Sequence, residues 1–525
     1  MRVISKIVSI YSNNVVKVDR IQFRNFAKAL NQEYVTVLNQ ETLTGRILLY
    51  LNTDNEKFRN PSKNTLETLN TLRQNVNNLH RLNTHEIIHF SNSLINQNIP
   101  RHELLSILRE LDAECHLRLH ELGSADILKL LNAYMSIISN RITEFKFYKH
   151  SIKVLFDSLC SLDKTDLLQL IFYVGLKKKN SESQTMLREC LKAIDGDFIN
   201  NLTTEELCII CNSTFKTSTK ITNKILLNKV RTYINDNLFI LKDSALFITL
   251  VKTLRHNRYQ NDDVLSTISC ATIFNKTIDS YSFSAICHIM ALYADYFYYD
   301  EKLFRIFIKK CLKQLGESNF VSKDTYLTEQ LRGKDIKRFL WVLSMFSEFK
   351  LVDTTDIKNV IVPKLIERIK GKEFENDNDS LVDIALYLWI INYRPYELVP
   401  YILNKQDAQL LDPDLLKKLP IKPTYIPNTV FSEYQLRKRP LIQQLLNTLN
   451  ILMPKLNLNR FELTQEIPHL NIVGITGYRN KSEKAVYIEV LDDYTRIKNV
   501  EEDVPVGLMA LKLRLLDRSE EGFLT

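Results

Sequence analysis

The stretch AVYIEVLDDYTRI, residues 485–497, brings three carboxylates, Glu489, Asp492 and Asp493, to the end of a β-branched and aromatic run. Carboxylates grouped in this way are the ligand type that holds Mg2+ for in-line displacement at a phosphodiester. A lysine then orients or activates the attacking water, and Lys512 is the residue that could approach. Two features weigh against such a site. Glu489 is followed two residues on by Leu491, and the preceding apolar run NIVGITGY carries no carboxylate. In a strand of period two, Glu489, Leu491 and Asp493 share a face and Asp492 does not. A solvated strand end in a binding module is the expectation, and a metal-dependent nuclease is the alternative.

Binding chemistry has more candidates. Lys177, Lys178 and Lys179 form one basic run, Arg255 and Arg258 stand close together, and Arg437, Lys438 and Arg439 form another run. Near the end of the chain, Arg479, Lys484, Arg496, Lys498, Lys512 and Arg514 are candidate phosphate contacts. For any one of them a solvated face is the plainer explanation. Tyr293, Tyr298 and Tyr299 have rings that stack on bases, although aromatics at helical spacing commonly belong to a core. The net charge of +9, from 70 Lys and Arg against 61 Asp and Glu, is a mild excess that suits a polyanionic partner without requiring one.

Other chemistry is thinly represented. The eight cysteines are scattered through apolar helical patterns, and Cys208 and Cys211 form a single CxxC with no second ligand pair at zinc spacing. They are expected to be buried helix cysteines. No Gly-rich phosphate loop or kinase signature occurs, so no metal and no cofactor is expected, except Mg2+ under the nuclease alternative. No run of 18 apolar residues occurs, so no membrane insertion is expected. Residues 1–32 set Arg2, Lys6, Lys17, Arg20, Arg24 and Lys28 against one acid, Asp19. That is the composition of a mitochondrial transit peptide; a basic first helix would share it.

The elements that must carry these residues are mainly helical. Glycine occurs 11 times, and proline, at 13, is concentrated from Pro363 onward, so the first two-thirds is nearly free of helix breakers. That region also repeats. Leu82, Leu122, Leu162, Leu202 and Leu241 each open a similar segment, at a spacing of about 40 residues. A capping residue follows, then an acid in the first turn (Glu86, Asp126, Asp166, Glu206), then apolar residues at helical spacing. A weaker copy starts at Ile278, and another at Leu331. A second helix falls between copies, as in HELLSILRELDAECHLRL. Two helices per unit of about 40 residues predict an α-solenoid of helical hairpins over residues 33–325.

The pattern then shifts. Over 331–412 two helical segments share a Leu-Trp pair, Leu340-Trp341 and Leu388-Trp389, with core packing the expected role of the tryptophans. Residues 413–468 read as a Pro-containing linker and one helix, RKRPLIQQLLNTLNILM. From His469 to the end, two short strands joined by RNKSE and a helix stopped by Gly522 predict a small α/β module.

HLNIVGITGYRNKSEKAVYIEVLDD, then GLMALKLRLL, then GF resembles the RAP domain that ends proteins of the FAST kinase domain-containing family. The Leu-Trp segments look like that family's FAST regions, and the order of solenoid, basic leader and terminal module is similar. The resemblance implies a restriction-endonuclease-like fold for residues 469–525. It also implies a mitochondrial matrix location and binding of single-stranded mitochondrial RNA to regulate transcript processing, stability or translation. RNA-granule or ribosome-associated proteins are the implied partners, and kinase activity is not expected. In the family GF is followed by another strand; here the sequence stops at GFLT, so either it is truncated or the module lacks its last strand. A protein-binding solenoid scaffold is the third reading.

Overall fold

A computed structural model of the protein describes residues 44, 46–47, 69–95, 99–236, 243–274, 277–318, 331–375, 377–402, 436–456, 458–465, 467, 470, 472–479 and 484–517. The expected transit peptide, the linker over 413–435, Leu241, and the terminal residues with Gly522 lie outside them. The described chain is mainly helical, with a three-stranded antiparallel sheet near its C-terminal end. Its contacts divide it into two compact units, one running to Ile268 and one from Ser269.

The first unit holds α1 (Leu69–Asn77), α2 (Thr84–Ser93), α3 (Arg101–Leu117), α4 (Ser124–Ile138), α5 (Lys146–Asp157), α6 (Lys164–Leu176), α7 (Ser181–Lys192), α8 (Gly196–Asn200), α9 (Thr204–Thr217), α10 (Lys224–Asp236), α11 (Ser244–Asn257) and the start of α12 (Asp262–Phe274). One set of helices, α2, α4, α6, α9 and α11, packs each on the next. These are the helices that follow the repeated leucines. α6 is buried continuously from Leu167 to Leu176 because helices cover it on several sides. The intervening helices are one-sided: α7 buries Ser183, Met186, Leu187 and Cys190 and leaves its other face to solvent.

Local chemistry starts these helices where the sequence places them. Asn83 with Glu86, and Thr203 with Glu206, form reciprocal capping boxes at the starts of α2 and α9. Asp163 caps α6 and Asp243 caps α11. Buried polar bonds then tie α4, α5 and α6 together. Asn132 Nδ2 donates to Gln169 Oε1 at 2.9 Å, Tyr173 donates to Asn132, and Tyr148 donates to the Tyr173 carbonyl at 2.7 Å. Cys208 and Cys211 are buried free thiols, with burial pushing Cys211 up to about 12.

The second unit continues from α12 with α13 (Phe283–Asp295), α14 (Glu301–Glu317), α15 (Gly333–Met345), α16 (Val362–Lys370) and α17 (Asn378–Ile390), then α18 (Pro440–Leu452), β1 (Arg460–Thr464), β2 (Gly474–Tyr478), β3 (Lys484–Ile488) and α19 (Gly507–Asp517). α13, α15 and α17 pack in succession, and α19 lies against α15 and α17. Leu340 and Leu388 are the fully buried members of their Leu-Trp pairs, while Trp389 is half-buried against the cluster of Ile390, Leu470 and Leu511. Gly507 is required at this junction, because a Cβ there would stand 1.6 Å from the Ser344 carbonyl oxygen.

The sheet runs β1-β2-β3, with β1 paired to β2 and β2 to β3, both antiparallel. β1 was not anticipated within the segment read as linker and helix, although Phe461 and Leu463 alternate there with Arg460, Glu462 and Thr464. α18 covers the sheet through Ile442, Leu445, Leu446 and Leu449, which meet Phe461, Ile475 and Val490. Among the described residues no helix is long and apolar enough to cross a membrane.

Candidate nucleic-acid interface

The helices of the first unit end in an unusual way for a chain poor in glycine. Ser139, Lys178, Ser218 and Arg258, at the ends of α4, α6, α9 and α11, all take positive φ, at 51°, 58°, 57° and 52°. They fall at intervals of about 40 residues along the sequence, whereas α2 ends at Leu94 with φ of −73°. Glycine ordinarily fills such positions, since a side chain there costs about 1 kcal/mol. After α9 and α11 the chain closes with the same pair of bonds. Thr219 N donates to the Thr214 carbonyl at 2.9 Å, and Tyr259 N to the Leu254 carbonyl at 3.1 Å. The bends present Lys178 and Arg258 at the surface, with Ser218 between them in the repeat order.

Neighbouring side chains make this edge a row of positive charge. Lys178, Lys179, Lys220 and Arg258 are exposed, and Lys216 and Arg255 are half-buried. Partial burial and the charge of Lys178 push the Lys216 ammonium down to about 8. Lys220 is lowered by burial and by Arg258, and His256 by burial and by Lys220. Among the described residues no carboxylate stands with the causes of these shifts to offset them. The ends are also joined by hydrogen bonds. Gln184 Nε2 donates to the Thr217 carbonyl at 3.0 Å, and Ile221 N donates to Asn257 Oδ1 at 2.7 Å.

The structure sorts the cations expected from sequence. Lys177 pairs with the exposed Glu182 at 3.2 Å, which offsets its charge and sets it apart from the row. Arg437 and Arg479 are exposed, and Lys438 stands 5.5 Å from the centre of the Tyr494 ring. Arg496 is engaged by Asp503 at 3.0 Å and Asp493 at 3.7 Å. Arg514 donates to the Ile390 carbonyl. Lys498 is half-buried, and its backbone bridges to Tyr298. For Lys484 only the backbone is described, as the partner of Tyr478.

Two expected phosphate contacts are instead structural. Arg439 is 2% exposed; its Nε donates to Asp492 Oδ2 at 2.6 Å, and its two terminal nitrogens to the Val473 and Val490 carbonyls at 2.9 and 2.8 Å. Lys512 is fully buried, donates to the Ile472 carbonyl at 3.1 Å and pairs with Glu489. Neither ammonium nor guanidinium is open to a phosphate. The tyrosines also divide: Tyr293 is fully buried and Tyr299 stacks on Phe349 with 3.8 Å between ring centres, so both are core.

The carboxylates of the opening stretch do not converge. β3 ends at Ile488, so Glu489 follows the strand, and strand alternation does not govern Asp492 and Asp493. Glu489 turns inward and pairs with the buried Lys512. Gly474 leaves room for that pair, since a Cβ would stand 2.4 Å from Glu489 Oε1. Asp492 is used by Arg439 and by Tyr494 N and Thr495 Oγ1, each at 3.0 Å. Asp493 is exposed and pairs with Arg496. Among the described residues no group of three or more His, Cys, Asp or Glu side chains is placed to hold a metal ion.

Lys216, Lys220 and His256 were missed because each is unremarkable in its local sequence. The available signal was the repeat itself: with the repeats set in register, the ends of α6, α9 and α11 accumulate cations. No family model matches the chain, and no curated protein matches it.

Proposed function

We propose that this protein binds single-stranded RNA along the row formed by Lys178, Lys216, Lys220 and Arg258. The observation that carries the reading is the gathering of cations at the ends of α6, α9 and α11, where Lys178 and Arg258 are exposed and their charges act on Lys216 and Lys220. Holding such charges together is unfavourable in the free protein, and a polyanion relieves it by neutralising them and releasing its own counterions. The succession of packed helices, with positive-φ helix ends at intervals of about 40 residues, supports an α-solenoid, whose stacked units offer an extended surface for a flexible strand. The sheet with α19 supports a RAP-like terminal module. With the family resemblance, this gives a regulator of mitochondrial transcript processing, stability or translation that acts by binding.

Anisotropy of a labelled single-stranded RNA, titrated with the full chain at rising salt, tests the reading. The logarithm of affinity should fall with the logarithm of salt by about 0.7 for each phosphate neutralised. Reversing Lys178, Lys216, Lys220 and Arg258 to Glu should remove about 3 from that slope. Salt-insensitive binding, or a slope unmoved by the four changes, would sink it. Import of the full chain into isolated mitochondria tests the location separately.

A further inference from the structure

Within the row of cations stands an apolar ring that packing leaves partly exposed. Phe215, near the end of α9, is 38% exposed. It is the exposed aromatic of the first unit among the described residues. Two residues one turn apart on α11 frame it. Lys252 Nζ stands over one face of the ring, 5.7 Å from its centre, and the His256 ring meets it at a near right angle with 6.2 Å between centres. His256 in turn lies near the Thr219 carbonyl at 3.2 Å and feels the charge of Lys220. Lys216 is the next residue on the chain.

We infer that Phe215 is a stacking platform for a nucleobase, placed between cations that take the flanking phosphates. An exposed phenyl in a basic edge has poor use as a protein-docking anchor, because interface cores are depleted of charge. A base suits it: every base has an apolar face, and the phosphates on either side find Lys216 and Lys220. Stacking on Phe215 needs an unpaired base, so the site selects single strands over duplex. A phenyl ring has no hydrogen-bonding group, so it supplies affinity without reading base identity.

The inference rests on the RNA-binding reading, and the test separates the two. The full chain is titrated against a labelled oligouridylate and against an abasic strand of equal length, which keeps the phosphates and removes the bases. Phe215→Ala should weaken oligouridylate binding by about 5- to 100-fold and leave the abasic strand within about 2-fold. Phe215→Leu keeps apolar bulk without a flat ring and should behave as alanine does, which controls for loss of packing. Phe215→Trp should retain affinity and show fluorescence quenching with oligouridylate and none with the abasic strand. Equal loss on both strands, or no loss on either, overturns the stacking role while leaving RNA binding standing. Wild-type protein that binds neither strand overturns both.

Discussion

The Arg439 guanidinium and the Asp492 carboxylate meet at 2.6 Å with both side chains buried, which ties the start of α18 to the loop after β3. Two further Arg439 bonds reach the Val473 carbonyl just before β2 and the Val490 carbonyl just after β3. Arg439→Ala leaves the Asp492 charge buried without its main partner. The expected cost is roughly 3–5 kcal/mol in urea unfolding followed through the terminal module. Exposed Arg437→Ala should cost under about 0.5 kcal/mol. Similar costs for the two would contradict the structural role.

Lys216 gives RNA binding a pH dependence. Its ammonium is held down to about 8 in the free protein, against an ordinary value of 10.5. A phosphate at the site favours the charged form and raises the value again. Binding therefore takes up a proton between about pH 8 and 10.5, and affinity falls as pH rises through that window. Lys216→Arg, always charged, should flatten the profile. A wild-type profile flat from pH 7.5 to 10 would exclude Lys216 from the contact. The folded state alone has the matching sign. The depressed value penalises folding below pH 8, and the penalty fades as pH rises toward 10.5, so Lys216→Met should stabilise the free protein at neutral pH.

His256 acts in the acid range. Burial and Lys220 hold its imidazole below 6.5, so the folded free protein resists protonation and loses stability as pH falls below that value. Bound phosphate reverses the preference, so affinity should strengthen as pH falls below 6.5. His256→Gln should remove this limb and leave the alkaline one. Loss of both limbs together in that variant would show that the two groups do not titrate separately.

Asp335 sets a different acid limit. Its side chain is fully buried, and burial alone would raise its carboxyl. Arg332 at 2.7 Å and Arg338 at 2.9 Å, with Ser284, outweigh burial and bring it below 3.8. A lowered folded value means the stabilisation is present above pH 3.8 and is lost as pH falls through the folded value. Asp335→Asn should cost roughly 3 kcal/mol at pH 7 and make the second unit's stability flatter below pH 4, measured by unfolding across pH 2–5.

Gly507 and Gly474 both sit where a side chain collides, but with different neighbours. At Gly507 the obstacle is the Ser344 backbone, and at Gly474 it is the end of the Glu489 side chain. Backbone cannot rotate away, whereas a carboxylate can at the expense of its pairing with Lys512. Gly507→Ala should therefore cost more than about 3 kcal/mol and undock α19, and Gly474→Ala about 1–3 kcal/mol. Proteolytic susceptibility of α19 in the two variants checks the order, and the reverse order would refute the account.

Much of the helical framework was legible in the order of residues. The capping boxes of Asn83 with Glu86 and Thr203 with Glu206, and the acids Asp126 and Asp166 in first turns, are local signals, and the structure starts helices at each. The two short strands read on either side of RNKSE are β2 and β3, which pair antiparallel. β1 was hidden because its five residues follow a strong helix and owe their strand state to pairing with β2.

What the sequence by itself determined is the mainly helical character of the chain, where many helices begin and the presence of strands near the C-terminal end. These depend on capping, dipole and apolar spacing, all set within a few residues. Only the tertiary structure decided which charges are available. Arg439 and Lys512 are held inside against Asp492 and Glu489, and Lys177 is tied to the surface carboxylate of Glu182, while the charges of Lys178 and Arg258, from other helix ends, act on Lys216 and Lys220. Charge on a side chain is a property of composition, but its desolvation and its neighbours arise from packing between segments far apart in the chain.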